Sequence, residues 1–207
     1  MLMNTGDEVH KSENGLLSTI AYSMDGEVKY ALEGSIFIAG AVVQWLRDGL
    51  KLVSHASETE NMAQSVAQSD EVVFVPAFAG LGAPYWDQYS RGAIFGLTRD
   101  TTKEHIAKAA LDSMALQTKD ILDAMQIDSK ITLEELKVDG GAVANNYLMQ
   151  YQSDILNVPV VRPVVAESTA LGAALLAGFG VNLFDEKKLE SIQEVATVFS
   201  PSWNEER

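Results

Sequence analysis

The sequence contains no cysteine and few basic residues, and these two shortages exclude several kinds of function. Without cysteine there can be neither disulfides nor thiolate chemistry, which is compatible with the cytoplasmic location that we expect. The 15 basic and 29 acidic residues give a formal net charge of −14. Because this charge repels nucleic acids and anionic membrane surfaces, we expect neither as a partner.

Metal-binding and membrane-spanning patterns are also missing from the sequence. The three histidines, His10, His55 and His105, lie far apart without paired ligand spacing, so no metal is predicted and all three are interpreted as surface or structural. No apolar run reaches the roughly eighteen residues that a membrane span requires, and the first residues lack the basic start of a signal peptide. We expect a soluble protein whose apolar opening, Met1 to Met3, favours a chain that begins inside a longer one.

The 207 residues, of which 47% are hydrophobic, suit one domain or a piece of a two-domain protein with a packed core. Residues 1–4, 16–22 and 27–32 are β-prone, and Asp25-Gly26 between the last two is typical of a hairpin. The sequence therefore begins with three predicted antiparallel strands.

A helical pattern rich in small residues follows over residues 35–50. It contains Gly40 and, one turn later, Gln44, so both are expected on one helix face. A glycine inside a helix costs about 1 kcal/mol against alanine, which indicates a packing or a ligand reason. By itself the pattern favours close helix packing at Gly40 over ligand binding.

The middle of the chain alternates helices and strands. Predicted here are a polar helix over residues 58–69, a buried strand at 72–76, a loop at 79–87 and a short strand at 92–97. The loop could bind substrate, but we interpret it as an ordered surface loop pinned by Trp86. Thr101 and Glu104 form a capping box for a long helix, one face of which is expected in the core. That face carries Ile106, Ala109, Ala110, Met114, Gln117, Ile121 and Met125.

The stretch with the clearest functional pattern runs from Leu136 to Leu156. A β-prone run meets Gly140 and Gly141, and a helical pattern begins at Ala144. Glycines permit close backbone approach and a helix start offers N–H groups to a phosphate, although any tight turn also favours Asp-Gly or Gly-Gly. Asp139 is expected to fix the turn by accepting from nearby N–H groups rather than to act as a base.

The remaining segments complete an α/β pattern. Residues 158–163 are a strand that its prolines confine to an edge or an end, and residues 168–178 are an apolar helix suited to tight burial against the sheet. We predict an α/β fold with a mixed sheet and helices on both faces. Ligands of such sheets bind beyond the carboxyl ends of strands, where Gly140 and Gly141 fall.

Six segments together resemble one enzyme family, the FGGY carbohydrate kinases, from residue 1 to about residue 183. GAIFGL at 92–97 and, after seven residues, HIAKAALD at 105–112 match its second signature. The other matching segments are YALEG at 30–34, QWLRD at 44–48, PAF with GLGAPYWD at 76–87, residues 138–146, and TALGAA at 169–174. Within the family, these segments are most similar to members that phosphorylate glycerol.

The resemblance implies an actin-like ATPase fold, related to ribonuclease H, and a chain whose residues 1–207 form the C-terminal, nucleotide-binding domain. Gly40, Gln44, Gly141 and Asn145 fall at positions that contact ATP or ADP. No catalytic residue is assigned, because the family's base, its acceptor site and its other phosphate loops precede the matching region. Two glycine-and-amide pairs at the same spacing strengthen the binding interpretation, since amides can hydrogen-bond ribose, base or phosphate.

The implied activity is ATP- and Mg²⁺-dependent phosphorylation of glycerol to sn-glycerol 3-phosphate by a full-length homo-oligomer, with the isolated chain inactive. Two alternatives stay open. One is another sugar kinase of the family that acts on a pentulose. The other is a non-catalytic actin-like module that binds a nucleotide or a partner.

Overall fold

The computed structural model describes residues 1–24, 26–66, 72–183 and 195–203 and divides the chain into two units, Met1–Leu133 and Glu134–Arg207. Each unit combines helices with at least one sheet, and the sheet of the second unit is mixed. The predicted α/β class is thus confirmed. The strands within the described residues are divided among three separately hydrogen-bonded sheets.

The first sheet confirms the three predicted antiparallel strands. β1 (Leu2–Gly6), β2 (Leu17–Met24) and β3 (Glu27–Glu33) lie in the order β1-β3-β2. The central strand contributes Ala31 and Leu32 to the core, while β2 is mostly exposed. Of the predicted hairpin turn, Asp25 lies outside the described residues and Gly26 has a φ of +86°.

The next helix is shorter than predicted. α1 spans Ala41–Asp48 and buries Val42 and Leu46 completely. Residues 35–40 are not helical because tertiary contacts use their carbonyls: that of Ser35 accepts from the Ala83 amide at 3.2 Å, and that of Ile38 accepts from Gln117 Nε2 at 3.3 Å.

Two short strands and a second helix follow. α2 spans Glu58–Ser65, and the end of its predicted range, residues 67–69, lies outside the described residues. β4 (Val73–Val75) pairs antiparallel with β5 (Ala93–Phe95). β4 is less buried than predicted because alternate side chains face opposite sides: Phe74 is buried near the Trp45 ring, and Val73 is 46% exposed.

The 27-residue helix α3 (Lys103–Ser129) forms the core of the first unit. The predicted face is confirmed at Ala109, Ala110, Met114, Ile121 and Met125, all of which are buried. The predicted capping box is wrong by one position. Thr102 is the N-cap and its amide donates to His105 Nδ1 at 3.2 Å, because the Thr101 hydroxyl already accepts from the Thr98 amide at 2.8 Å.

The second unit has a mixed sheet, β6 (Leu136–Lys137), β7 (Val160–Pro163) and β8 (Val195–Phe199), with β6 parallel and β8 antiparallel to β7. β7 is central; Pro159 directly precedes it and Pro163 is its last residue, positions at which a missing N–H is tolerated. Helix α4 (Asn146–Leu156) packs against β7 and β8.

Helix α5 (Ser168–Gly180) contradicts the prediction of tight burial. Of its residues only Gly178 is buried, and Leu176 is 56% exposed. Apolar residues lie all round this helix, so a single neighbouring layer cannot cover them. Among the described helices none is both long and apolar enough to cross a membrane.

Candidate functional site

The first candidate pair, Gly40 and Gln44, lies in the first turn of α1. Gly40 is the N-cap rather than an interior residue, which corrects the prediction, and its φ of −54° and ψ of −20° are open to any residue. Its carbonyl accepts from the amides of Val43 at 3.1 Å and Gln44 at 3.3 Å. The Gln44 side chain is exposed, so its amide group is accessible in this unit.

The surroundings of Gly40 contradict the close-packing interpretation. A methyl group built at Gly40 meets no described atom within 4 Å. At Gly49, at the other end of α1, it would lie 2.8 Å from Trp45 Cδ1, and at Gly34 it would lie 2.5 Å from Ile121 Cγ2. Gly40 therefore differs from glycines that are required for packing, and the space beside it is compatible with a ligand.

The second candidate region is the turn after β6. Gly140 has a φ of +84° and a ψ of 175°, a conformation that is essentially restricted to glycine. Gly141 begins a 3₁₀ turn, Gly141–Ala144, in which the Val143 amide donates to the Gly140 carbonyl at 3.2 Å. Methyl groups built at Gly140 and Gly141 also meet no described atom within 4 Å. This turn thus presents its backbone without crowding.

Asn145 connects this turn to α4. It is the N-cap of α4, and its Oδ1 accepts from the Leu148 amide at 2.9 Å. The expected direct passage from the glycines into the helix is therefore wrong, since a 3₁₀ turn intervenes and a side chain satisfies one of the first helical amides. Asn145 consequently has a structural role in addition to its proposed binding role.

Asp139, beside the same turn, is held by a hydroxyl rather than by the expected N–H groups. Its Oδ2 accepts from Ser168 Oγ at the start of α5, and the next residue, Gly140, donates its amide to the Ala166 carbonyl at 2.7 Å. These two bonds join the glycine turn to the segment before α5. The contacts agree with a structural role for Asp139.

Loop 79–87 is anchored at both of its aromatic residues. Trp86 Nε1 donates to the Gly15 carbonyl at 2.5 Å, and the Trp86 ring meets that of Phe37 edge-on with centroids 6.2 Å apart. The Tyr85 hydroxyl donates to Asp120 Oδ2 at 2.9 Å, and this hydrogen bond raises the pKa of Tyr85. The contacts confirm an ordered loop pinned by Trp86.

One residue that contacts the glycine turn was missed from the sequence. Arg162 of β7 donates to the Val143 carbonyl at 3.0 Å and to Asn146 Oδ1 at 2.9 Å. The only available indication was a single arginine in an otherwise apolar run between two prolines. In the described parts of the chain, no group of three or more histidine, aspartate or glutamate residues could hold a metal ion.

The four predicted residues thus form two local pairs, Gly40 with Gln44 in the first unit and Gly141 with Asn145 in the second. Residues 1–181 match the model of the C-terminal domain of the FGGY family of carbohydrate kinases. The chain belongs to this family.

Curated relatives and solved structures agree with this assignment. Over 91% of this chain, the sequence is 67% identical to a glycerol kinase of Desulforamulus reducens. Over 100% of this chain, it is 61% identical to a glycerol kinase of Treponema denticola. It spans 38% and 42% of those two relatives. A Plasmodium falciparum glycerol kinase solved with ADP aligns at a TM-score of 0.88 and 39% identity, covering 97% of this chain and 40% of that one.

Likeness to the sugar kinases of the family is restricted to the fold. The ligand-bound xylulose kinase of Lactobacillus acidophilus aligns at a TM-score of 0.81 and 24% identity, over 97% of this chain and 40% of that one. This level of identity supports the actin-like architecture of the family and carries no information on the acceptor.

Proposed function

We propose that this chain is the nucleotide-binding part of an ATP-dependent glycerol kinase, which transfers the γ-phosphoryl group of ATP to a primary hydroxyl of glycerol and forms sn-glycerol 3-phosphate. The observation that carries the proposal is identity of 56% to 67% with glycerol kinases over 91% to 100% of the chain. The pentulose alternative has only fold-level support, at 24% identity.

The nucleotide is proposed to contact Gly40 and Gln44 in the first unit and Gly141 and Asn145 in the second. Support comes from the uncrowded space at both glycines and from the two amide side chains beside them. Backbone at such glycines can approach phosphate or ribose closely, and a glutamine or asparagine amide both donates and accepts hydrogen bonds.

We propose that residues 1–207 form the C-terminal domain of the enzyme. The acceptor site and the catalytic carboxylate are then expected in an N-terminal domain. The relatives are more than twice as long as this chain, which agrees with such a partition. Phosphoryl transfer depends mainly on positioning and on charge stabilisation, so a nucleotide site without the base and the acceptor should not turn over. We also propose, from the family resemblance, a cytoplasmic homo-oligomer.

Mg²⁺ is proposed as the counter-ion of the nucleotide phosphates rather than as a metal held by this chain. Mg²⁺ is commonly bound by one or two carboxylates together with substrate phosphates. The described residues offer no cluster of three or more ligating side chains, which agrees with a metal held mainly by the nucleotide phosphates. When bound with ATP, it would supply neutralisation of phosphate charge.

Nucleotide binding is tested by calorimetric titration of ADP and ATP, with and without Mg²⁺, into the 207-residue chain. We expect weak binding that is lost in Gly141→Val and reduced in Gln44→Ala. Gly180→Val is the matched control, because a methyl group built at Gly180 also meets no described atom within 4 Å, but Gly180 lies at the end of α5. Equal binding by Gly141→Val and by the wild type would contradict the assignment.

Catalytic competence is tested in a chimera in which this chain replaces the matching segment of the Treponema denticola relative. We expect the chimera to release ADP with glycerol, whereas the chain alone should be inactive. Acceptor specificity depends on the proposed N-terminal domain and is tested separately with the full-length enzyme on a panel of polyols, where activity on xylulose and none on glycerol would favour the pentulose alternative. A folded chimera that binds ADP without any turnover would favour the non-catalytic module.

A further inference from the structure

Arg162 connects three elements of the second unit. Its guanidinium donates to the Val143 carbonyl in the 3₁₀ turn at 3.0 Å, to Asn146 Oδ1 at the start of α4 at 2.9 Å, and to Thr197 Oγ1 on β8 at 3.0 Å. The guanidinium carbon also lies 5.1 Å from the centre of the Phe199 ring. One side chain therefore ties the turn and α4 to the central and outer strands of the sheet.

The two contacts on the turn side flank Asn145. Val143 precedes this residue by two positions and Asn146 follows it directly, so a guanidinium that holds both restricts the backbone before the cap and the side chain after it. A guanidinium is a planar fork with five donors, which suits it to holding several acceptors in one fixed arrangement. Lysine has a single flexible ammonium group and cannot reproduce that arrangement.

The charge of Arg162 is not neutralised by any carboxylate among the described residues. Its three hydrogen-bond acceptors, a carbonyl, an amide oxygen and a hydroxyl, are all uncharged, and the ion pairs found in the described ranges do not include it. As far as the described residues go, a chain with a formal charge of −14 therefore keeps a positive group without a carboxylate partner against the turn. Such a group raises the attraction of that region for an anion.

We propose that Arg162 is a positioning residue that holds the turn Gly141–Ala144 and its cap Asn145 in the conformation that receives the nucleotide. This inference rests on the proposed nucleotide-binding function. Arg162 acts through Val143 and Asn146 and needs no contact with the nucleotide itself.

The test measures ADP affinity and backbone protection together in the 207-residue chain. Arg162→Met should weaken ADP binding by about tenfold, because it removes charge-assisted hydrogen bonds on both sides of the cap. It should also speed amide hydrogen exchange over residues 141–148 before any nucleotide is added. Arg162→Lys should restore neither property fully. Thr197→Val, which removes only the contact to β8, should have an intermediate effect.

Asp154→Ala is the matched control for loss of stability. Asp154 lies at the end of α4 and accepts from the amide of Ser202 at 2.6 Å and from its hydroxyl at 3.0 Å, so the variant loosens the same unit without touching Arg162. At equal free energy of unfolding, we expect weaker ADP binding in Arg162→Met than in Asp154→Ala. Equal affinities, or full rescue by Arg162→Lys, would overturn the positioning role. Absence of ADP binding by the wild type would refute the proposed function itself.

Discussion

The two glycine-and-amide pairs have the same spacing in the sequence but differ in how much the fold depends on them. Gly40 has an ordinary helical conformation and Gln44 is exposed. At the second pair, Gly141 follows Gly140, whose conformation is essentially restricted to glycine, and Asn145 caps α4. We therefore expect changes at the first pair to leave the stability nearly unchanged, whereas the second pair combines a structural role with the proposed binding role.

This difference has a consequence for interpreting variants of the proposed site. A loss of nucleotide binding on substitution at Gln44 reports on binding alone, because no described structural hydrogen bond of α1 depends on that side chain. A loss at Asn145 mixes two effects, because the same side chain stabilises a helix terminus. Stability and affinity must therefore be measured together for the second pair.

The largest effect on stability is expected at Gly140. Gly140→Ala should lower the free energy of unfolding by about 1–3 kcal/mol, since its φ of +84° and ψ of 175° are strained for any residue with a Cβ. Gly141→Ala is the control at the adjacent position, where φ is not positive and the added methyl group has space. Urea unfolding of the two variants measures the difference, and similar midpoints would contradict it.

A smaller loss of stability is expected on substitution of Asn145. Asn145→Ala should destabilise the chain by about 1 kcal/mol, the usual contribution of an N-cap side chain, and should also weaken ADP binding. Gln44→Ala, the corresponding change at the first pair, should weaken ADP binding with an unchanged urea midpoint.

Asn145→Ser separates the two roles of this side chain. Serine is also a good N-cap, so stability should return towards that of the wild type, but it lacks the amide, so ADP binding should remain weak. If ADP binding returned together with stability, the cap alone would explain the effect of Asn145→Ala.

Low pH should lower the stability of the first unit through Asp128, which is not a member of the Gly40–Gln44 pair. Burial raises the pKa of Asp128, but hydrogen bonds outweigh it and lower the pKa overall, chiefly those from Ser12 Oγ at 2.5 Å and Asn14 Nδ2 at 2.6 Å. The ionised carboxylate therefore contributes to the free energy of unfolding above the pKa of about 3.9 that it has in the unfolded chain. This contribution is lost as the pH falls through the lower pKa of the folded state. Because Asp128 is partly exposed, we expect less than about 1 kcal/mol.

The measurement is the urea midpoint of the wild type and of Asp128→Asn at pH 7 and near pH 3. The wild type should have the higher urea midpoint at pH 7, and the difference between the two midpoints should be smaller near pH 3. A gap independent of pH would show that the carboxylate charge of Asp128 makes no contribution.

Features that are determined by neighbouring residues in the sequence were predicted well. The three N-terminal strands follow from β-prone runs around an Asp-Gly turn, and the core face of α3 follows from helical periodicity. The turn at Gly140 and Gly141 also lies directly after a strand, as the local pattern indicated. In each case the residues that decide the structure are close together in the chain.

Features that depend on distant residues were not predicted. α1 begins at Ala41 because Ala83 and Gln117, which are more than forty residues away, occupy carbonyls of the preceding segment. Likewise, Arg162 reaches the turn only through the parallel pairing of β6 with β7, which no local pattern of the sequence shows. Periodicity gives the face of a helix but not the tertiary contacts at its ends.

The smallest effect on stability is expected at Gly40, where the comparison between the pairs is tested most directly. Gly40→Ala should change the free energy of unfolding by less than about 0.5 kcal/mol, because the weaker N-cap preference of alanine offsets the reduced entropy of the unfolded chain. Gly82→Ala is the contrasting control, since its methyl group would overlap the Ser35 carbonyl oxygen. Weaker ADP binding in a fully stable Gly40→Val variant would assign the space at Gly40 to the nucleotide, whereas a large loss of stability in Gly40→Ala would show that this glycine is required by the fold after all.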